Sequence, residues 1–153
     1  LIKRIAKAKA SNIKVIYDLN RFKDFFDKIV VDVPCSGSGV WRRKPENMIY
    51  LNEEGLKEHV ISQRKILDNV VKYCKNNGLI IYITCSILKE ENEEQIKRFL
   101  LKYKNFKTVN LKKFLEEKFK FKFKKKDIKW FTLYPNELMS DGYFICIMKK
   151  KIF

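Results

Sequence analysis

The chain lacks any apolar run of about 18 residues, the length a helix needs to cross a bilayer, so no membrane span is expected. Its Lys-rich start, Leu1 to Ala10, has neither the apolar stretch nor the small-residue cleavage site of a secretory signal. Glycine and proline are sparse, five and three among 153 residues, and neither a Pro/Gly linker nor an internal repeat divides the sequence. One domain, or a large piece of one, is therefore expected. The four cysteines, at 35, 74, 85 and 146, lack both CxxC spacing and the density of a disulfide scaffold. A reducing, cytoplasmic setting follows, with no metal site. The chain also opens on Leu instead of Met, which reads as a cut, an unusual start codon or the edge of a disrupted gene.

What the sequence has in excess is positive charge. Lys plus Arg number 34 against 18 Asp plus Glu, a formal +16. Such an excess favours a polyanionic partner, because each ammonium near a phosphate releases counterions and adds sequence-independent affinity. A second explanation stands beside it: most basic residues are Lys, and Lys, Ile, Asn and Phe are abundant together, as A+T-rich coding would produce.

The hydrophobic pattern alternates strands with helices. Leu1 to Ala10 reads as an amphipathic helix, Ile13 to Tyr17 as a short strand, and Lys28 to Val33 as a β-branched strand buried on both faces, ending at Pro34. Leu56 to Cys74 reads as a helix stopped at Asn76-Asn77-Gly78. Leu79 to Thr84 is a second apolar strand, and Glu90 to Tyr103 a helix with its acids first and its lysines last. Phe106 to Asn110 and Tyr143 to Met148 complete the strands, while Lys118 to Lys124 alternates Lys and Phe as a two-faced strand would. That last segment is either a strip touching RNA or an exposed hairpin. The class is α/β with a mostly parallel sheet, whose ligands bind at the carboxyl ends of the strands. Two such ends, Asp32-Val33-Pro34-Cys35 and Thr84-Cys85-Ser86, should open onto one crevice. Cys74 and Cys146, inside regular elements, are expected to be core thiols.

Either cysteine motif alone is weak. Together they form a pattern: Asp-Val-Pro-Cys-Ser-Gly-Ser-Gly-Val from Asp32 with Arg42-Arg43-Lys44-Pro45, then Gln63 and Leu67, then Gly-Leu-Ile-Ile-Tyr-Ile-Thr-Cys-Ser from Gly78 with Glu90-Glu91-Asn92-Glu93, and finally Asp141-Gly142-Tyr143-Phe144 with Lys149. In this order and spacing, from about Ile13 to Lys150, the sequence resembles the Sun/Nop family of RNA cytosine-5 methyltransferases, in particular the bacterial type acting on small-subunit ribosomal RNA. The resemblance implies a Rossmann-like class I methyltransferase fold, with residues 1–153 as the carboxy-terminal part of the domain. It also implies S-adenosylmethionine as cofactor and RNA, ribosomal RNA above all, as partner. By resemblance Cys85 is the nucleophile that adds to carbon 6 of cytosine, Asp32 faces the ring nitrogen beside the exocyclic amine, and Cys35 releases the product. Asp18, Asp32 and Pro34 line the cofactor, and Arg42 and Arg43 hold RNA phosphate or assist thiolate formation.

Three departures, Val33 for Ala, Asn77 for the first Gly of a pair and Lys89 for Pro, remove no reacting group. The larger one is an absence. Family members carry a glycine-rich cofactor turn and an acidic strand end upstream of the segment matching Leu1, whereas no Gly precedes Gly37 here. The sheet is thus expected to lack its first two central strands, between Ile13 to Tyr17 and Lys28 to Val33, leaving a bare edge and a need for an amino-terminal fragment. Two readings stay open: an enzyme, or a non-catalytic remnant of a split or decaying gene with residual nonspecific RNA affinity. DNA cytosine-5 enzymes do not pair their Pro-Cys with a second Thr-Cys-Ser strand end. A dithiol redox role requires Cys35 and Cys85 to approach within bonding geometry.

Overall fold

The computed structural model describes residues 1–137 and 139–152. A short helix α1, Ile2–Lys7, buries none of its residues. After a coil comes strand β1, Phe26–Asp32. A 3-10 turn at Ser38–Val40 and the one-turn helix α2, Asn47–Tyr50, lead to the long helix α3, Glu53–Val70. Its Asn52 cap accepts from the Gly55 N–H at 2.8 Å and two glutamates fill its first turn, both favourable at a helix start. Strand β2, Cys74–Thr84, is followed by α4, Glu93–Lys102, then β3, Phe106–Thr108, α5, Lys112–Phe119, β4, Phe131–Leu133, and β5, Tyr143–Lys150. Among the described residues no helix is long and apolar enough to cross a membrane.

The sheet order is β1-β2-β5-β3, with β1 parallel to β2 and β5 antiparallel to it. Because β2 occupies one edge of β5 along 144–149, the other edge is divided between β4 at Tyr143 to Ile145 and β3 at Met148 to Lys150. The period-2 pattern sets the faces. Ile80, Tyr82 and Thr84 pair with Met148, Cys146 and Phe144, and all six are buried. Leu67 of α3 and Ile96 and Phe99 of α4 close over them with no exposure. Truncating a ring such as Phe99 in such a core costs about 3–5 kcal/mol. On the opposite face Ile145 and Ile147 pack against a smaller cluster of Leu111, Leu115 and Ile128.

The sheet is partial, as expected, with β1 an edge strand whose Val30 stays 62% exposed, but it is not mostly parallel: among the described residues β1 and β2 run parallel, while β5 is antiparallel to β2, β3 and β4. Four local expectations are corrected. Residues 13–17 form no strand, because among the described residues nothing pairs with them and β1 keeps its outer edge bare. The helix expected to run to Cys74 ends at Val70, and Cys74 opens β2 opposite Phe26. Asn76-Asn77-Gly78 is accordingly an irregularity within β2, where the register slips between Phe26 and Lys28. Asn77 there has φ 63°, a conformation that Asn tolerates better than most residues, so it can stand where glycine is usual. Residues 118–124 are not a strand either. Helix α5 runs to Phe119, Lys120 turns it off with φ 59°, and Phe121 and Phe123 pack individually on Phe131, since both edges of β5 are taken.

Candidate active site

The parallel register places Asp32 opposite Ile83, so a few residues beyond each strand end reach one rim of the sheet. There Cys35 Sγ and Cys85 Sγ lie 3.3 Å apart, both half-buried and both free. This is a hydrogen-bond distance, longer than a disulfide of about 2.05 Å. With one proton between two sulfurs, the pair favours a single thiolate. Either sulfur can carry the shared proton; donation from Cys35 draws the titration of Cys85 down to about 7, against burial and the charges of Asp32 and Glu91. Donating that bond, with burial, pushes Cys35 well above the ordinary thiol range. A thiolate at Cys85 stabilised in this way would be reactive at neutral pH.

A buried polar network holds the two loops. Glu91, fully buried, accepts from the Ser36 N–H at 2.8 Å, the Ser36 hydroxyl at 2.5 Å and Gln63 Nε2 at 3.0 Å. Gln63 Nε2 also donates to the Pro34 carbonyl at 3.1 Å, tying α3 to the segment before Cys35. On the other side Ser38 and Ser86 hydroxyls meet at 2.9 Å, Asn92 Nδ2 donates to the Ser86 carbonyl at 2.8 Å, and the Thr84 hydroxyl donates to Asn92 Oδ1 at 2.7 Å. Tyr82 hydroxyl donates to the Glu91 carbonyl at 2.6 Å. Gln63 Oε1 finds no partner among the described residues, but the other polar groups named here are paired and fix one geometry, because leaving one unpaired costs about 1–3 kcal/mol.

The third segment at the rim precedes β5. Gly39 N–H donates to the Cys85 carbonyl at 2.9 Å, and Gly142 N–H donates to the Gly39 carbonyl at 2.8 Å. A methyl group on Gly39 would lie 2.2 Å from the Gly142 carbonyl oxygen and 2.8 Å from that of Cys85, so only glycine fits. Arg43 clamps this junction with a two-pronged ion pair to Asp141, at 2.8 Å from Nε and 2.5 Å from Nη2.

The structure brings together most of the residues singled out in the sequence. Asp32 is exposed at the rim, where its charge bears on Cys85, and Pro34 is exposed beside it. Arg42 donates to the Met139 carbonyl at 3.1 Å, and Arg43 is committed to Asp141. Asp18 is apart. It sits in exposed coil accepting the Asn20 N–H at 2.9 Å, and no hydrogen bond among the described residues joins it to the cysteines. Cys74 and Cys146 are fully buried thiols. Sequence reasoning missed Glu91 as the organising acceptor, together with Ser36, Ser38 and Ser86. The signal was present in Glu91-Asn92 following Thr-Cys-Ser, yet acids at a helix start are ordinarily solvated.

Comparison with known proteins identifies the family. The family described as 16S rRNA methyltransferase RsmB/F matches residues 2–149. The probable ribosomal RNA small subunit methyltransferase B of Bacillus subtilis is 34% identical over 127 residues, covering 82% of this chain and 28% of that protein. The ribosomal RNA small subunit methyltransferase B of Photorhabdus laumondii is 43% identical over 82 residues, 54% of this chain and 19% of that protein. The chain thus spans less than a third of the length of these relatives. The crystal structure of PH0851 superposes with TM-score 0.80 at 28% identity, covering 97% of this chain and 34% of its own. NSun6 from Pyrococcus horikoshii, at 23% identity and TM-score 0.73, covers 99% of this chain and 38% of its own, and shares the fold. With the paired thiols at the strand tips and a match over nearly its whole length, the chain belongs to the 16S rRNA methyltransferase RsmB/F family and carries a Rossmann-like methyltransferase sheet in part.

Proposed function

We propose that this chain is the catalytic-cysteine portion of an S-adenosylmethionine-dependent enzyme that methylates carbon 5 of a cytosine in ribosomal RNA. The observation that carries the reading is the 3.3 Å contact between Cys85 and Cys35 at one strand rim. Carbon 5 of cytosine is a poor nucleophile, and a thiolate adding at carbon 6 moves the double-bond electrons toward carbon 5. Cys85, held near neutrality by its donor, supplies that thiolate. As the sulfur–carbon bond forms, the ring nitrogen takes up a proton from solvent, and the exposed Asp32 carboxylate accepts a hydrogen bond from that N–H until the proton leaves on elimination.

The handover between sulfurs follows from the same contact. Once Cys85 is a neutral thioether, the chief cause of the raised Cys35 titration, donation to a thiolate, is gone. Cys35 can then release its proton to solvent and, as thiolate, accept the carbon-5 proton, while the electrons of that C–H bond re-form the ring double bond and expel Cys85 as thiolate. The net change at the base is one methyl in and one proton out. An unpaired cytosine suits this site, because extruding a base from a duplex costs a few kcal/mol.

When bound, S-adenosylmethionine supplies the electrophilic methyl group. The rim fits a sulfonium in charge, since the exposed carboxylate of Asp32 is close enough for its charge to bear on Cys85. Asp32 and Pro34 would form one wall of its site, and Asp18 would meet its adenine. The glycine turn that the resemblance calls for is not in this sequence. The bare edge of β1 therefore favours a second reading, in which the chain is inactive by itself. Incubating the chain with RNA and methyl-labelled cofactor, alone and together with the upstream part of the Bacillus subtilis relative, separates the two. Label in cytosine that disappears with Cys85→Ala supports the enzyme; the absence of label under both conditions supports the remnant.

A further inference from the structure

The Lys/Phe segment is not absorbed by this chemistry, and the fold gives it a shape that alternation alone did not suggest. Phe114, Phe119, Phe121, Phe131 and Tyr143 line an open cavity of about 330 Å³ on the face of β5 opposite the α3/α4 core. That volume lies within the range of about 300–1,000 Å³ that small ligands occupy. Phe114, Phe119 and Tyr143 remain 55%, 52% and 45% exposed, a cluster of aromatic surface that is unusual on a chain with no partner. The cavity adjoins the reactive rim: Tyr143 follows Gly142, which is hydrogen-bonded to Gly39 beside Cys85.

The segment that supplies Phe119 and Phe121 to its lining is strongly cationic. Lys118, Lys120, Lys122, Lys124, Lys125 and Lys126 are all exposed, and among the described residues none forms an ion pair. The nearby glutamates, Glu116 and Glu117, are matched by Lys112 and Lys113. Like charge of this density repels a second copy of the chain and attracts a polyanion. An aromatic concavity beside unpaired lysines is the arrangement that holds single-stranded nucleic acid, with base on ring and phosphate on ammonium.

We propose that this cavity receives an unpaired nucleobase flanking the target cytosine, with the lysines of 118–126 holding the adjoining phosphates. The proposal rests on the RNA reading above and specifies how the strand is held. The test uses the full chain and a single-stranded RNA carrying a fluorescent aminopurine, titrated at low and moderate salt. Binding quenches the fluorophore. Phe119→Ala removes the quench and weakens binding about fivefold to a hundredfold, the measured range for one base–aromatic stack. Phe119→Tyr restores both, whereas Phe119→Leu, which keeps the apolar volume, does not. Replacing Lys120, Lys122 and Lys124 with Gln flattens the log–log salt dependence by about 2 units.

Native affinity and quench in Phe119→Ala, or full function in Phe119→Leu, would overturn the assignment. So would a loss confined to phosphatidylserine vesicle binding or to self-association, with RNA binding intact. The underlying reading fails separately. A Cys85→Ala chain that still transfers methyl sinks the chemistry while leaving the quench; normal Cys85 dependence without any Phe119 effect sinks the cavity alone.

Discussion

Removing the Cys35 sulfur changes how Cys85 titrates, and the size of the change can be worked from the contact. With Cys35 as the donor, Cys85 titrates at about 7, below its ordinary 9.0. At pH 7 the native sulfur is then about half thiolate, and in Cys35→Ala about 1%, a loss of roughly 50-fold. A more basic thiolate is intrinsically more nucleophilic, by roughly 8-fold for two pH units at a Brønsted slope of about 0.45. The net expectation is alkylation of Cys85 about 6-fold slower at pH 7 in Cys35→Ala. The two profiles cross near about pH 8, and the variant is several-fold faster above about pH 9.5. Haloacetamide labelling across pH, with residue 85 followed by mass spectrometry, gives both curves. Buried Cys74 and Cys146 serve as slow internal references. A midpoint that stays near 7 in Cys35→Ala, or profiles that never cross, would refute the claim that one thiol holds the other ionised.

Other consequences concern the frame around the pair. Gly39→Ala forces its new methyl into two carbonyl oxygens, so it should lower the urea midpoint by the equivalent of about 1–3 kcal/mol and abolish Cys85 reactivity at pH 7. Glu91→Gln leaves the Ser36 and Gln63 donors facing a neutral amide, at a cost of about 2 kcal/mol, read in the same denaturation. Asp68 is held below the ordinary carboxylate range: burial opposes this, but hydrogen bonds from Arg98 at 3.0 Å and Lys102 at 2.8 Å prevail. A depressed carboxylate contributes stability above its unfolded titration, and that contribution is lost as pH falls through its folded value. Asp68→Asn should therefore cost about 1 kcal/mol at pH 7 and nothing near pH 2, and added salt should shrink the difference.

The sequence was legible where burial imposes a simple period. The β-branched run before Pro34, the apolar run before Thr84 and the Tyr143 strand all became sheet, and their shared rim placed Cys35 against Cys85. It was misleading where pairing partners decide. Ile13 to Tyr17 looks like a strand but has no neighbour, and Lys118 to Lys124 alternates but finds no free edge of β5. Asn77 shows the converse, a turn signal that became an irregularity inside β2 because Cys74 already pairs with Phe26. Glu91 was hidden for an electrostatic reason. Its role depends on Ser36 and Gln63, 55 and 28 residues away, and no local pattern reports such partners.

Covalent capture of the substrate bears most directly on the division of labour between the two sulfurs. With cofactor, an unpaired cytosine-bearing RNA and the upstream part of a relative supplied, Cys35→Ala should accumulate a protein–RNA adduct that survives denaturation. Peptide mapping should locate the RNA on Cys85, and Cys85→Ala should yield no adduct. An adduct on another residue, an equal yield from Cys85→Ala, or unimpeded turnover by Cys35→Ala would contradict the account.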